Sequence, residues 1–298
     1  MISICIPIYN FNVTNLVKKL SALCQSLDAP SEIVLIDDCS HSYYSKLNED
    51  VCKKEVYVQL EKNIGRATIR NLFLNHTKYE YLLFLDCDSI IYHDDFLATY
   101  VKELNQCSYD LICGGRIYND IPPKRNELLR WKYGIYRESK PANVRNSNPN
   151  KSFMTNNFIV KRCILDAIKF EERLLNYGHE DTLFGYELKK NNIKITHIEN
   201  PVLNNDLRDN VNYISDTEKA ISNLKQILEY TDYDKEFISD VALLKTYYKI
   251  YGIKSLINGI FTLLKPSIKY VLSRGYVNLY LFDFYKLGTL SKIMNNKN

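Results

Sequence analysis

Continuous apolar runs closed by polar or acidic residues alternate with stretches whose apolar positions recur every three or four residues. "ISICIPIY" predicts a buried strand at the very start of the chain. "VTNLVKKLSALCQSL" follows, with Val13, Leu16, Val17, Leu20, Leu23 and Leu27 at helical spacing and Asn12 or Thr14 available as the cap. "EIVLIDD", "VYVQLE" and "YLLFLD" predict a second, third and fourth strand, and "GRATIRNLFLNHT", ahead of the fourth, a helix. Strands that read as unbroken apolar runs and alternate with helices predict an α/β domain, its mostly parallel sheet covered on both faces.

Beyond the fourth strand the pattern loosens. "DLICGGRIY" and "FMTNNFIVKR" read as further strands. Residues 119–152, rich in Pro, Asn, Lys and Arg, read as an irregular insertion with a short amphipathic stretch in "NELLRWKYGIY". "CILDAIKF" reads as a helix, and "GHEDTLFGYELKKNN" opens another with Glu180 and Asp181 in its first turn. "KITHIENPVL" ends the α/β portion, and from residue 207 the pattern is helical only. The expected division is 1–206 as the α/β domain and 207–298 as a helical extension, cut into short helices by Pro266 and Gly275.

In open α/β sheets ligands bind beyond the carboxyl ends of the strands. Asp37 and Asp38 end one apolar run, and Asp86 and Asp88 end another. Any one of them has a structural alternative: Asp38 as a turn cap, Asp88 as the cap of a helix starting near Asp94. Two acidic strand ends favour a ligand site. A DxD there suits a divalent cation held through oxygen, with coordination positions left for phosphate and water. "KNIGRATIRN" supplies Gly65 for close backbone approach, and Arg66 and Arg70 four apart on one helical face, suited to phosphate. P-loop and dinucleotide glycine motifs do not occur. Glu180 and Asp181 fit either a helix-dipole pair or a general base, and the residues alone do not choose.

Composition and charge narrow the class. The 298 residues are 46% hydrophobic and 25% charged, and eight cysteines form no CxxC, which predicts a reduced globular protein rather than a disulfide or zinc scaffold. No leader is read ahead of Ile2, and no run reaches the ~18 apolar residues of a membrane span, so the expected location is cytoplasmic, in one reading peripheral on the inner face of the membrane. From Lys245 onward nine Lys/Arg face a single acid, Asp283, among many tyrosines. That tail admits two readings: contact with an anionic membrane surface through 245–298, or a helical extension packed on the protein. No nucleic-acid motif accompanies the charge, so no nucleic-acid partner is expected.

Taken in order, "ISICIPIYN", "IVLIDDCS", "KNIGRATIRN", "YLLFLDCDS", "FMTNNFIVKR" and "YGHEDTLFGYEL" resemble the inverting family 2 glycosyltransferases of GT-A fold, over roughly residues 1–205. The resemblance implies a nucleotide-sugar donor, most often a UDP-sugar, with Mn²⁺ or Mg²⁺, and a saccharide or lipid-linked acceptor. It further implies Pro7, Tyr9 and Asp38 around the nucleoside, Arg66 and Arg70 near the donor, and Asp86 and Asp88 as the DxD, with Asp88 the direct metal ligand. Asn156 and Asn157 match a segment bordering the sugar. Asp181 matches the general base, with Glu180 beside it positioning donor or acceptor.

One position departs from the pattern. Where many relatives carry a metal-binding histidine after "NP", this chain has Asn204, followed by Asn205 and Asp206. An amide oxygen suits Mg²⁺ better than a transition metal. His197 is expected to pack in a strand, and His179 is the alternative ligand. The substitution motivates a second reading, a catalytically silent nucleotide-sugar-binding subunit. A sugar-nucleotide pyrophosphorylase is set aside, because "IPIYNFN" lacks the glycine-rich turn that reaction needs.

Overall fold

The apolar runs become strands β1 (Ile2–Ile8), β2 (Ser31–Asp37), β3 (Val56–Gln59) and β4 (Tyr81–Leu85), joined by helices α1 (Thr14–Gln25), α2 (Ser42–Val51) and α3 (Arg66–His76). The structure, a computed structural model, describes residues 1–174, 178–204 and 207–295. The chain forms two compact units. The first takes 1–119, 139–175 and 184–206; the second takes 120–138, 176–183 and 207–298. Two segments ahead of residue 207 therefore belong with the C-terminal helices.

In the first unit α4 (Phe96–Gln106), α6 (Ala142–Asn146) and α7 (Arg162–Ala167) accompany β5 (Ser89–Ile90), β6 (Leu111–Cys113), β7 (Arg116–Tyr118), β8 (Asn157–Lys161), β9 (Ile195–His197) and β10 (Val202–Asn204). The main sheet runs β3-β2-β1-β4-β8-β6-β9 and a small one β5-β10-β7. β3, β2, β1 and β4 are parallel neighbours, β6 and β9 likewise, and β8 alone runs against both its partners. Strand alternation divides the core. Ile2, Ile4, Ile6 and Ile8 pack with Leu16, Val17 and Leu20 of α1 and Phe96 and Leu97 of α4. Cys5, Val34 and Ile36 join Phe73 of α3, Leu165 of α7, and Phe184 and Leu188. The expected α/β sheet with helices on both faces is present.

Two expected strands divide, and the first helix is capped differently. "DLICGGRIY" is two strands in two sheets, because the chain bends at Gly114 and Gly115. A Cβ on Gly114 would lie 2.4 Å from the Tyr100 hydroxyl and the Asn200 carbonyl, and Gly115 has φ +97°. "KITHIENPVL" divides in the same way into β9 and β10. At the first helix neither Asn12 nor Thr14 is the cap: Val13 holds that position without a side-chain bond, and Asn12 makes a turn just ahead of it, its Oδ1 accepting from the Thr14 amide at 3.0 Å.

The insertion is more ordered than its composition implies. The guanidinium of Arg145, on α6, is buried. Nε donates to the Lys140 carbonyl, Nη1 to Cys113 O and His197 Nδ1, and Nη2 to Gly114 O and Ile198 O. One side chain thus fastens 139–146 to the sheet edge formed by β6 and β9.

The second unit contains α5 (Leu128–Tyr133), the start of α8 (Glu180–Lys190), α9 (Asn210–Tyr230), α10 (Lys235–Asp240), α11 (Ala242–Lys249), α12 (Lys254–Ser273) and α13 (Leu279–Asn295). Its core gathers Leu129, Ile214, Phe261, Ile268, Leu272, Phe282 and Tyr285. Pro266 does not divide the tail: α12 runs through it. Pro266 lies on the exposed side, while Phe261, Ile268 and Leu272 hold the other side of the helix in the core. Gly275 does end α12, at φ +79°, its amide donating to Leu272 O and the Tyr276 amide to Val271 O. Glu218 of α9 ties α12 and α13 together, meeting Lys265 Nζ at 2.8 Å, Lys269 Nζ at 3.1 Å and the Tyr285 hydroxyl at 2.6 Å. Burial alone would raise this carboxyl, but the three donors overcome it and hold its pKa at about 2.

Candidate active site

In the strand order 3-2-1-4 the sense in which successive strands are added reverses between β1 and β4, the place where open α/β sheets bind ligands. Asp86 and Asp88 emerge there from β4, beside Pro7 and Tyr9 from β1. Asp86 is held by two guanidiniums: Arg70 Nη2 meets Oδ1 at 3.3 Å and Arg116 Nη2 meets Oδ2 at 3.3 Å. Both arginine side chains are largely buried, and Arg70 Nε has no hydrogen-bond partner among the described residues. Arg70 also donates to the Arg66 carbonyl and lies over the Phe170 ring, while the Arg66 side chain reaches the exterior. Arg116 was not picked out from sequence. It is one charge after a glycine pair, and only the separate pairing of β7 with β10 brings it to Asp86.

Asp88 does not cap the following helix, which starts at Phe96 with Asp95 before it. Its Oδ2 accepts from Asn204 Nδ2 at 3.1 Å, because antiparallel pairing of β10 with β5 sets Asn204 opposite Ser89. Asn204 is buried, and its Oδ1 has no partner among the described residues. The thiol of Cys87, between the two aspartates, is kept neutral, its pKa pushed up by burial and by both carboxylates.

Around β1 and β2 the acids brace loops. Asp37 is fully buried and accepts from the Ser40 amide, the Ser45 hydroxyl and the Tyr57 hydroxyl. Asp38 accepts from the amides of Ile64 at 2.7 Å and Gly65 at 3.1 Å, fixing the turn into α3. Burial raises its pKa against the lowering effect of those two amides. Gly65, at φ +83°, enters α3 in a backbone conformation that favours glycine. Tyr9 exposes its ring. The next residue, Asn10, is left-handed (φ +50°) and cross-bonded to Ser40 and His41, which joins the loops after β1 and β2.

The two asparagines ahead of β8 separate. Asn157 is bonded into the framework: its side chain accepts from the Tyr100 hydroxyl and donates to the carbonyls of Gly115 and Asn200. Asn156 receives the Asp86 amide on its carbonyl, and its buried Nδ2 has no partner among the described residues.

Glu180 and Asp181 begin α8, in the second unit. The turn before them is left-handed at Gly178 (φ +98°) and His179 (φ +67°). It is braced on α9, where buried Asn223 Nδ2 donates to the Gly178 carbonyl. Glu180 is buried and accepts from the Gly178 amide, whereas Asp181 is only half-buried and accepts from the Thr182 amide at 2.7 Å. His179 bonds the Thr182 hydroxyl through Nδ1, and burial lowers its pKa to about 4. A Cβ on Gly178 would lie 2.5 Å from Ala220 Cβ. Gly178→Ala is therefore expected to destabilise the fold by roughly 1–3 kcal/mol and to reduce turnover, read by thermal melting and an activity assay.

Among the described residues no three His, Cys, Asp or Glu side chains converge as a metal cluster. Asn205 and Asp206 lie outside the described residues. The donor set at the strand ends still fits a hard cation. Asp88, just ahead of β5, and the unpartnered Asn204 Oδ1 on the neighbouring β10 offer oxygen atoms, and Mg²⁺ commonly takes one or two protein oxygens and completes its shell with water and phosphate. Asp86, with both oxygens on guanidiniums, fits that role less well than the sequence suggested.

A mostly parallel sheet with acids at its switch point matches the GT-A fold of glycosyltransferases. The fold is shared with the mannosyltransferase PcManGT from Pyrobaculum calidifontis, solved with GDP-Man and Mn²⁺ (TM-score 0.64, 15% identity, 100% of this chain and 88% of that one). It is shared also with residues 1–349 of S. aureus TarS (TM-score 0.51, 18% identity, 99% and 92%). The Glycosyl transferase family 2 model matches residues 3–166, and the chain belongs to that family. Relatives include Escherichia coli chondroitin synthase, 23% identical over 66% of this chain, and the poly(ribitol-phosphate) beta-N-acetylglucosaminyltransferase TarP of Staphylococcus aureus, 29% identical over 64%. The matches span 33% and 58% of those two proteins.

Proposed function

We propose that the protein transfers a sugar, with inversion, from a nucleotide-sugar donor, in the first instance a UDP-sugar, to a hydroxyl of a saccharide or lipid-linked acceptor. The observation that carries this reading is the pairing of Asp88 with Asn204 beside an Asp86 neutralised by two arginines. Tyr9 and Pro7 flank the base and ribose, the exposed Tyr9 ring offering a stacking face. Asp38 acts through the loop it holds, keeping the Ile64–Gly65 backbone in place at the start of α3. Arg66 reaches the donor phosphates directly. Arg70 and Arg116 orient Asp86 toward ribose or sugar hydroxyls, and the Asn156 amide adds a donor to the same group.

Asp88 and Asn204 would hold Mn²⁺ or Mg²⁺, which neutralises the diphosphate and improves the leaving group. Asp181 is the general base and Glu180 the residue that positions its turn. As the acceptor oxygen bonds to the anomeric carbon, Asp181 takes its proton, and the bond to the diphosphate breaks with its electron pair leaving on the phosphate oxygen. Attack opposite the leaving group inverts the anomeric configuration.

The test is release of free nucleotide from a panel of UDP- and GDP-sugars with Mn²⁺ or Mg²⁺. Asp88→Ala is expected to lower it at least about 100-fold, and Asn204→Ala to weaken apparent metal affinity by about 10–100-fold. Release that survives both Asp88→Ala and a chelator would overturn the metal-assisted reading. Retained configuration in the glycoside product, read by NMR, would overturn inversion.

A further inference from the structure

The sequence leaves the basic tail open between packing on the protein and meeting a membrane. In the structure α12 packs on the protein with one face and leaves the other in solvent. The inner face of α12 carries Phe261, Ile268 and Leu272 into the core, and Lys265 and Lys269 are spent on Glu218. On its outer face Leu256 (63% exposed), Ile260 (43%), Leu263 (80%), Leu264 (41%) and Tyr270 (61%) stand in solvent. Leu256, Ile260, Leu263 and Tyr270 fall at helical spacing on one stripe, about 21 Å from end to end. Exposed apolar surface of this extent marks a contact site.

The charges around it point to the occupant. From residue 241 to 282 the chain has no Asp or Glu, while Lys245, Lys249 and Arg274 are exposed on α11 and at the end of α12. Lys254 and Arg274 lie over the rings of Tyr251 and Tyr270, so cationic and aromatic groups border the stripe together. We propose that this face of α12 docks on an anionic lipid surface, with Leu256, Ile260 and Leu263 entering the acyl boundary and Lys249 and Arg274 meeting lipid phosphates. A second copy docked stripe to stripe would set like charges against each other, with no acid from 241 to 282 to pair them. Among the described residues no helix is long and apolar enough to cross a membrane, so the contact is interfacial.

Sedimentation of the full chain with phosphatidylcholine vesicles, with and without phosphatidylglycerol, tests this without reference to sugar transfer. Binding is expected to the anionic vesicles and to fall with salt. Leu263→Glu or Leu256→Glu is expected to weaken partitioning at least about tenfold, and Lys249→Gln or Arg274→Gln about fivefold each. These side chains are exposed, so melting temperature should hold, and Leu263→Ser provides a milder variant if Leu263→Glu misfolds. Absence of vesicle binding overturns the proposal, as does vesicle binding insensitive to these substitutions. Concentration-dependent self-association lost in Leu256→Glu, with no vesicle binding, would instead make the face an interface between copies.

Discussion

Asp181→Asn is expected to lower turnover by about 10²–10⁴-fold while leaving donor affinity nearly unchanged. Asp181 Oδ1 accepts from the Thr182 amide in the first turn of α8, and an asparagine oxygen in the same place keeps that bond. What is lost is the ability to take a proton. Asp181 is half-buried, whereas Glu180 is buried and bonded back to the Gly178 amide, so Asp181 is the carboxylate expected to meet the acceptor. Glu180→Gln, which keeps the same acceptor, is expected to have the smaller effect on kcat. Steady-state kinetics with calorimetric donor binding separates the two substitutions. Full turnover in Asp181→Asn would place the base elsewhere.

The sheet was legible because buried parallel strands need apolar residues on both faces, so β1, β2 and β4 announce themselves as unbroken runs. The acids ending those runs were legible for the same reason, since a carboxylate closing an apolar run lies at the sheet's edge. Their individual duties were not. Asp38 and Asn157 look like ligand-site residues in sequence, yet one holds backbone amides and the other crosses the framework beneath the site. The partners that decide such duties lie far along the chain: Arg116 is 30 residues from Asp86, and Asn204 is 116 from Asp88. A carboxylate with two buried guanidiniums behaves differently from one facing an amide, and spacing inside "DCD" does not encode that difference. Arg145 went unread because Pro- and Asn-rich surroundings resemble a loop, where a charge is ordinarily solvated. The paired glycines of "CGGR" mark the bend that splits β6 from β7, although the apolar residues on both sides of them read as one strand.

Arg145→Met is expected to destabilise the protein by roughly 3–5 kcal/mol, more than any other single substitution considered, because it strands several buried acceptors at once. Arg145→Lys should recover little, since a single ammonium cannot reproduce the planar fork that serves four carbonyls and an imidazole. The same network sets a pH limit. His197 Nδ1 accepts from Arg145 Nη1 at 2.8 Å and Nε2–H donates to the Pro149 carbonyl at 2.9 Å, so the folded protein holds the neutral ring. Burial lowers its pKa to about 4, with Arg145 adding to the effect against the Pro149 bond. An unfolded chain protonates this histidine near its ordinary value of about 6.5, so between the two values the unfolded state binds more protons. The stabilisation is fully present above about pH 6.5 and is lost as pH falls toward 4, a change of about 3 kcal/mol. Urea unfolding across that range should show midpoints dropping with acid in the wild-type chain. In His197→Asn the drop from this group should vanish, leaving the share that comes from half-buried His179 and other groups. In Arg145→Met, NMR titration should find His197 ionising closer to its ordinary pKa, and an unchanged acid limb there would show that burial alone, without the guanidinium, holds the ring neutral.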